Sequence, residues 1–249
     1  MSTAAPESSS WACDSLSGRA QELHDAVLPP HQRAVRLNSV VRPAIVLGSA
    51  QSAETLLGSS GPSRDAAIKV LEELGVDLVT RRSGGGAVWL SPNAQCWLDI
   101  WLPAGDPLWH SDVGRSSWWL GECWAQALAG VAQNAPVVHR GPLIDRALGQ
   151  VACFAGLGPG EVAIDNRKVV GISQRRSRLG AKFQCVVYTQ WNPEPLLSIL
   201  RLGEVSDEML AELEAVLSDG VQEVRVLANE TGISAEEQLL KSLIAQLPG

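Results

Sequence analysis

The sequence has little of several features that mark common classes of protein. Its 249 residues include two phenylalanines, one tyrosine and four histidines, and none of its five cysteines belongs to a C-x-x-C pair. An odd number of scattered cysteines argues against a disulfide framework and against a structural zinc site. No apolar run reaches the roughly 20 residues that cross a bilayer. We therefore expect no membrane partner and predict a cytoplasmic location.

Positive charge is also scarce, because 20 lysines and arginines face 27 acidic residues and give a formal charge of −7. This balance argues against a general nucleic-acid partner, since phosphate binding needs positive charge. One basic run does exist from Arg167 to Lys182, without an acidic residue in it. Such a run is usually a solvated face, although it also suits an acidic protein or an anionic ligand.

The chain shows no internal repeat and no Pro/Ser-rich linker. Residues 1–10 are small and polar, without a basic start or an apolar segment typical of a secretion signal. We therefore predict a flexible leader over residues 1–20. Residues 21–249 are expected to form a single domain with a short helical C-terminal tail.

Hydrophobic periodicity predicts an α+β fold with a mixed, mostly antiparallel sheet flanked by helices. Strand-like runs cover Val76–Val79, Ala87–Leu90, Cys96–Leu102, Glu161–Ile164, Lys168–Ile172 and Phe183–Tyr188. Helical patterns begin at Ser63 and cover Asp112–Val131, Pro195–Leu202, Ser206–Leu217 and Ser234–Leu247, the last opening with a capping box. Asp165-Asn166-Arg167 predicts a hairpin turn.

The most informative segment has the sequence Arg81-Arg82-Ser83-Gly84-Gly85-Gly86-Ala87-Val88 and follows a predicted strand. Glycines let backbone amides approach a ligand closely, and arginine supplies a fixed positive charge with bidentate geometry. A glycine triplet alone is usually a flexible turn. Together with the arginines and the strand, it predicts an anion-binding loop.

Three segments then carry a family resemblance. They read IVLGSAQ from Ile45, VTRRSGGGAV from Val79 and DNRKVVGISQRR from Asp165. In this order they resemble the biotin/lipoate protein ligase catalytic domain, on its lipoate-protein ligase A and octanoyltransferase side. The resemblance spans about Val40 to Tyr188.

The resemblance implies an enzyme that activates lipoate with ATP and Mg²⁺ as lipoyl-AMP. The lipoyl or octanoyl group then passes to a lysine of a lipoyl-domain protein, either a dehydrogenase E2 subunit or the glycine cleavage H protein. Lys168 matches the family's catalytic lysine and would stabilise developing negative charge. Residues expected to bind substrate or adenylate are Arg81, Ser83, Gly84, Gly85, Gly86, Ala87, Gly171 and Ser173.

Cys153 supports an alternative within the same family. The segment Ala152-Cys153-Phe154 resembles octanoyltransferases that carry the acyl group as a cysteine thioester and need no cofactor. A thiol close to Lys168 would be a good nucleophile, because an adjacent cation favours the thiolate. The other interpretation of Cys153 is a small buried hydrophobic residue.

Two departures from the family pattern leave further alternatives open. Trp89-Leu90 stands where the family commonly has a histidine, so a non-catalytic adaptor that binds lipoate or a lipoyl domain is also considered. Family ligases often have an accessory domain, and after Leu202 we expect only a helical tail, so a separate accessory protein is a possible partner. Glu161 either positions Mg²⁺ or forms an ion pair with a nearby arginine.

Overall fold

The computed structural model describes residues 11–53, 69–202, 205–225 and 232–249. Its centre is a seven-stranded sheet in the order β1-β2-β6-β10-β9-β8-β7, beside a three-stranded sheet in the order β4-β3-β5. The pairs β1–β2 and β3–β4 are parallel, whereas the other pairs within the two sheets are antiparallel. The predicted α+β architecture with a mostly antiparallel sheet is confirmed.

The strands are β1 (Ala12–Gly18), β2 (Ala34–Val40), β3 (Ala44–Leu47), β4 (Asp77–Thr80), β5 (Val88–Leu90), β6 (Gln95–Pro103), β7 (Val137–Val138), β8 (Val162–Ile164), β9 (Arg167–Ser177) and β10 (Gly180–Tyr188). The helices within the described residues that have full bounds are α1 (Ala20–Asp25), α2 (Trp118–Leu128), α3 (Arg146–Val151), α4 (Glu194–Leu202), α5 (Asp207–Asp219) and α6 (Ala235–Ile244). A short 3-10 turn covers Cys153–Ala155.

The centre of the large sheet is apolar because strand β6 is buried along nearly its whole length. It pairs with β2 on one side and β10 on the other, and α2 and α6 pack near it. Trp124 of α2 is fully buried in this core. Burial of large aromatic and aliphatic side chains supplies the main driving force for this packing. The predicted strand over Cys96–Leu102 is thus confirmed.

The hairpin between β8 and β9 turns at Asp165 and Asn166, which have φ values of 51° and 62°. Two consecutive positive φ angles are typical of a type I′ turn, which Asp and Asn tolerate better than most residues. The predicted hairpin is confirmed. Strand β9 continues to Ser177, five residues beyond the predicted end, because β10 pairs with it over that length.

The predicted helix over Asp112–Val131 is too long. Helix α2 covers only Trp118–Leu128, and the preceding segment forms turns in which Asp112 accepts from the amide of Gly114. A short carboxylate that bonds the backbone two residues ahead competes with helix formation, and Gly114 adds to this tendency.

The structure also differs from the predicted leader over residues 1–20. Residues 1–10 lie outside the described residues, but β1 pairs with β2 from Ala12 to Gly18 and α1 begins at Ala20. Strand β1 is mostly exposed, so main-chain hydrogen bonding at the sheet edge holds it rather than an apolar face. No hydrophobic alternation signals such a strand.

The C-terminal helices follow their sequence signals. Ser206 caps α5 and Ser234 forms the predicted capping box with Glu237 at the start of α6. The helix predicted to begin at Ser63 lies largely outside the described residues, although residues 69–73 are helical and Gly75 follows with φ +65°. Among the described residues, no helix is long and apolar enough to span a membrane.

Candidate active site

Two cavities of different character meet at Cys153. One is a narrow apolar cavity of about 30 Å³, walled mainly by aliphatic side chains and by Trp97. The other is an open cleft of about 390 Å³, lined by loop glycines, Lys168 and Glu161. Cys153, Ile172 and Ser173 line both. An apolar pocket that opens into a polar cleft with a few convergent polar groups is the usual form of a small-molecule site.

Arg81 holds the glycine loop in shape. Its guanidinium is buried and donates to the carbonyl oxygens of Val46, Gly84 and Gly86 at 2.7–3.0 Å. Burial lowers the pKa of Arg81, while the charges of Cys153 and Glu161 oppose that effect. A direct hydrogen bond from Arg81 to an anion, as predicted, would therefore compete with these three backbone carbonyls. The positive charge of Arg81 can still act on the site from its buried position behind the loop.

The turning of these carbonyls toward Arg81 orients the loop amides. In a trans peptide the N–H points opposite to the C=O, so the amide of Gly85 faces away from the guanidinium. Gly85 has φ +96°, and a Cβ built there would lie 3.9 Å from the Cys153 sulfur. A Cβ on Gly84 would meet nothing within 4 Å. Gly84 and Gly85 thus form an open wall of the cleft close to the thiol.

The segment Gly48–Gln51 supports the loop from behind. A Cβ at Gly48 would lie 1.8 Å from the carbonyl oxygen of Gly85, so a larger residue cannot occupy this position without displacing the loop. The amide of Ser49 donates to the carbonyl of Ser83 at 2.9 Å. The first and second segments of the family resemblance are therefore in direct contact.

Ala87 positions Cys153 rather than lining either cavity. Its amide donates to Val151 and its carbonyl accepts from the Cys153 amide, both at 2.8 Å. Gly86 makes this approach possible, because a Cβ there would lie 2.6 Å from the carbonyl oxygen of Gly149. The predicted binding role of Ala87 is thus not reflected in its contacts, which connect the glycine loop to the cysteine.

Lys168 is buried at the base of the open cleft. Its Nζ lies 2.7 Å from Glu161, 2.9 Å from the Cys153 carbonyl and 3.0 Å from the Gly156 carbonyl. The Cys153 sulfur lies 3.9 Å away. Burial by itself would lower the pKa of Lys168, but the charges of Cys153 and Glu161 outweigh it and raise the pKa above the ordinary value. The ammonium is therefore present throughout the physiological pH range.

Glu161 is fully engaged within the protein. Besides Lys168, its oxygens accept from the amide of Gly158 at 2.6 Å and from the amide of Ile172 at 3.0 Å. These contacts favour the ion-pair interpretation, with Lys168 as the cation rather than an arginine. No group of three or more potential metal-ligating side chains occurs in the described ranges.

Cys153 differs from the cysteines of the core. Cys96, Cys123 and Cys185 are buried, and burial raises the pKa of Cys123 to about 11 and that of Cys185 to about 12. Cys153 is half-buried, begins a 3-10 turn and faces both cavities. Its interpretation as an ordinary core residue does not agree with this position.

Gly171 and Ser173 of β9 both line the apolar cavity, and their binding role stays a prediction. A Cβ on Gly171 would lie 3.0 Å from the Phe154 ring, so glycine lets that ring pack against the strand. The hydroxyl of Ser173 lies 3.0 Å from that of Ser83, which joins β9 to the loop. These contacts bring the predicted residues of the second and third segments together.

A polar network at the apolar cavity was missed from the sequence. Gln184 contacts Ser83, Asp99 and His24, and Asp99 is also paired with Lys182 at 2.6 Å. The signal available was the presence of Asp99 within the apolar strand β6, since a buried carboxylate requires a partner. No local sequence pattern indicates that His24 belongs to this network, because its helix directly follows the segment predicted to be a flexible leader.

The family model for the lipoyl protein ligase A/B catalytic domain matches residues 20–238. The chain belongs to this family. A search of curated proteins gives no match. As a member of the lipoyl protein ligase A/B family, the chain is an enzyme of the ligase or acyl-transferase type, as predicted.

Solved structures agree on the fold. A Thermoplasma acidophilum protein with bound lipoic acid has a TM-score of 0.56 and 14% identity, with 94% of each chain covered. A lipoate-protein ligase A bound with ATP has a TM-score of 0.51 and 13% identity, again with 94% of each chain covered. A bipartite lipoate protein ligase from Thermoplasma acidophilum, described with its E2 lipoyl domain, has a TM-score of 0.52 and 14% identity over 94% of this chain and 91% of that chain.

Proposed function

We propose that this enzyme transfers a lipoyl or octanoyl group to a lysine of a lipoyl-domain protein through a thioester on Cys153. The observation that carries the proposal is the position of the Cys153 sulfur, 3.9 Å from a buried ammonium and at the junction of an apolar cavity with an open cleft. The apolar lining of the cavity suits the hydrocarbon part of an acyl group, and its walls would separate to admit the chain. The cleft provides access for a donor and for the acceptor lysine.

The chemistry consists of two acyl transfers. The Cys153 thiolate attacks the carbonyl of an acyl thioester, such as octanoyl-acyl carrier protein, and releases the carrier thiol with the proton lost by Cys153. The neutral amine of the acceptor lysine then attacks the Cys153 thioester, so that an amide forms and the Cys153 thiol is regenerated. Each step exchanges one acyl bond for another and needs no oxidant, ATP or metal.

Lys168 supplies the charge that both steps require. Three oxygen atoms accept from its ammonium, so its effect on the sulfur is mainly electrostatic. This charge stabilises the attacking thiolate and the oxyanion of each tetrahedral intermediate. Glu161 keeps the lysine in place and protonated. Preorganised charge in a partly closed site lowers the barrier without reorganisation during the reaction.

A second route, through an acyl-adenylate, is supported by the size and lining of the open cleft. Gly84 and Gly85 offer backbone amides, and Lys168 offers a cation to a phosphate or an acyl carbonyl. When bound, ATP would activate the acyl carboxylate by forming its mixed anhydride with AMP. The fit for Mg²⁺ is poorer, because Glu161 is occupied by Lys168 and by two amides.

The proposed acceptor is a lipoyl domain of a dehydrogenase E2 subunit or the glycine cleavage H protein. Support comes from family membership and from the basic strand β9, whose Arg175 lines the surface pocket that shares His24 with the apolar cavity. Positive charge at this edge would attract an acidic acceptor and raise the association rate. The adaptor alternative lacks comparable support, since binding alone does not require a thiol beside a buried ammonium.

The test incubates the full chain with an apo lipoyl domain and either octanoyl-acyl carrier protein or lipoate with Mg-ATP. Intact-mass spectrometry then detects acylation of the acceptor and of the enzyme. We expect an acyl-enzyme with the thioester donor alone, its loss in Cys153→Ala, and its release by hydroxylamine. Acceptor modification that requires ATP and survives in Cys153→Ala would establish the adenylate route instead. Ligand binding without any modification would support the adaptor.

A further inference from the structure

His24 of helix α1 places a polar ring beside the apolar cavity. It lines the cavity together with Val88, Leu90 and Trp97, and its ring centroid lies 4.5 Å from that of Trp97. Its Nε2 atom is buried and has no hydrogen-bond partner within the part of the chain that the structure describes. A buried polar atom without a partner is unfavourable unless a ligand or water completes it.

The tautomer of His24 follows from its neighbours. The amide nitrogen of Gln184 donates to Asp99 Oδ1 at 3.0 Å and lies 3.2 Å from His24 Nδ1. The opposite amide orientation would place an oxygen against the Asp99 carboxylate, which is an acceptor only. Nδ1 therefore accepts from Gln184, and the proton of the neutral ring is on Nε2.

The imidazole is neutral under physiological conditions. Burial, together with the charges of Lys182 and Arg81, lowers the pKa of His24 to about 3, with Asp25 opposing this shift. The ring thus presents one N–H donor at Nε2 over the range in which the enzyme works. Only a hydrogen-bond acceptor can satisfy it.

The position of His24 would place this N–H donor near the end of an acyl group that is farthest from Cys153. Cys153 is shared between the apolar cavity and the open cleft, whereas His24 is shared between the apolar cavity and a separate surface pocket of about 290 Å³. The cavity therefore runs from the thiol toward the imidazole. Because about 30 Å³ holds little more than a water molecule or two, its walls must separate to admit an eight-carbon chain.

We propose that His24 is a specificity-determining residue whose Nε2–H donates to an acceptor atom at the far end of the acyl group. The enzyme consequently selects a lipoyl group, whose dithiolane sulfurs are acceptors, over an octanoyl group, which ends in a methyl. This inference rests on the proposed function for the identity of the acyl chain. A site built to pair a polar group discriminates against an analogue that leaves the group unpaired.

The test compares free lipoate and octanoate by isothermal titration calorimetry with the full chain. We expect lipoate to bind about fivefold more tightly, because octanoate would leave the buried Nε2–H without an acceptor. His24→Phe keeps an aromatic ring of similar size but removes the donor, so its two dissociation constants should agree within about twofold. His24→Gln restores an N–H donor and serves as the matched control, with part of the preference retained.

A second measurement follows the ¹⁵N-labelled His24 ring by NMR. Lipoate should shift the Nε2–H signal and slow its exchange with water, whereas octanoate should do neither. Equal affinities in the wild type would overturn the proposal. A lipoate preference that persists in His24→Phe would also overturn it and would assign the selectivity to the shape of the dithiolane ring. Preferential binding without acyl transfer would overturn the proposed function and leave the role of His24 intact. Failure of both acids to bind would overturn the role of His24, whereas the proposed function is tested separately by acylation of Cys153 from octanoyl-acyl carrier protein.

Discussion

Two lysine–carboxylate pairs have their lysines on neighbouring strands and face different groups, one pair being buried and the other having a partly exposed lysine. The Lys168–Glu161 pair, at 2.7 Å, faces the Cys153 thiol and the open cleft. The Lys182–Asp99 pair, at 2.6 Å, instead fixes the amide of Gln184 and through it the ring of His24. The comparison teaches that a short ion pair on a buried carboxylate does not by itself indicate catalysis. The group that the pair faces determines its role.

The energetic reasoning is the same for both pairs, since desolvation of two charges offsets much of their attraction. The two pairs differ in the other groups to which the lysine or the carboxylate is hydrogen-bonded. All three N–H groups of the Lys168 ammonium donate to oxygen atoms beside the thiol. One oxygen of the Asp99 carboxylate accepts hydrogen bonds from Trp97 and Gln184. These bonds fix two side chains that line the apolar cavity.

The largest effect is expected from replacing Lys168, with Lys182 as the comparison. Lys168→Ala should reduce acyl transfer by about 10²–10³-fold, because it removes charge at the reacting atoms. Lys182→Ala should leave the rate of enzyme acylation within about tenfold. Transfer rates with a saturating acyl donor, measured beside thermal melting curves, make the comparison. Comparable losses of rate in two folded variants would remove the distinction between the pairs.

Unfolding is a separate risk, because each single variant leaves a buried carboxylate without its cation. Lys168→Ala combined with Glu161→Gln removes that uncompensated charge. We expect the double variant to melt closer to the wild type and to remain inactive. Recovery of activity in it would assign Lys168 a structural role only.

The glycine loop should respond next most strongly. Gly48→Ala places a Cβ 1.8 Å from the Gly85 carbonyl, so we expect the loop to shift, transfer to fall by at least about tenfold and stability to fall by about 1–3 kcal/mol. Gly84→Ala meets nothing within 4 Å and is the matched control, with little change in melting temperature. Equal behaviour of the two variants in transfer and melting assays would contradict the described packing.

Thiol alkylation sharpens the comparison with a smaller effect. Among the cysteines of the core and the site, Cys153 should react first with iodoacetamide near pH 7.5, as mapped by peptide mass spectrometry. Cys123 and Cys185 should react slowly until the pH approaches their raised pKa values of about 11 and about 12. Lys168→Ala should slow Cys153 alkylation several-fold, whereas Lys182→Ala should not. A slower reaction in both variants would show that the charge effect is general.

The smallest effect is expected at Tyr188. Its buried hydroxyl donates to the Trp89 carbonyl oxygen at 2.6 Å. Tyr188→Phe should cost about 1 kcal/mol of unfolding free energy in a urea titration. The acylation rate should be unchanged. A large loss of rate would indicate that the Phe154–Tyr188 contact helps to position Cys153.

The predictable parts of the fold are those with strong local signals. The apolar run of β6, the Asp-Asn turn before β9 and the capping box of α6 each have a local physical cause, and each was found. Strand β1 was missed because an exposed edge strand needs no apolar alternation. The early part of the predicted helix over Asp112–Val131 failed because side-chain bonds to the backbone replaced helical ones.

The same division holds for the site. Cys153, Lys168 and Ser83–Gly86 were identified from the sequence and lie together, while their catalytic and binding roles remain predictions. Arg81 was identified as well, but its contacts to the loop carbonyls were not foreseeable. His24 was missed because 160 residues separate it from Gln184, and no local pattern records such a contact.

The sequence by itself determined the family, the α+β class and the residues that concentrate charge beside a thiol, because glycine spacing, strand patterns and turn residues act locally. Only the tertiary structure decided which cation faces Cys153, which carboxylate holds that cation and which polar ring lies along the apolar cavity. These choices depend on distances between strands and helices that are remote in the chain. Because these groups are buried, their distances from one another determine their pKa shifts and the hydrogen-bond partners that they require.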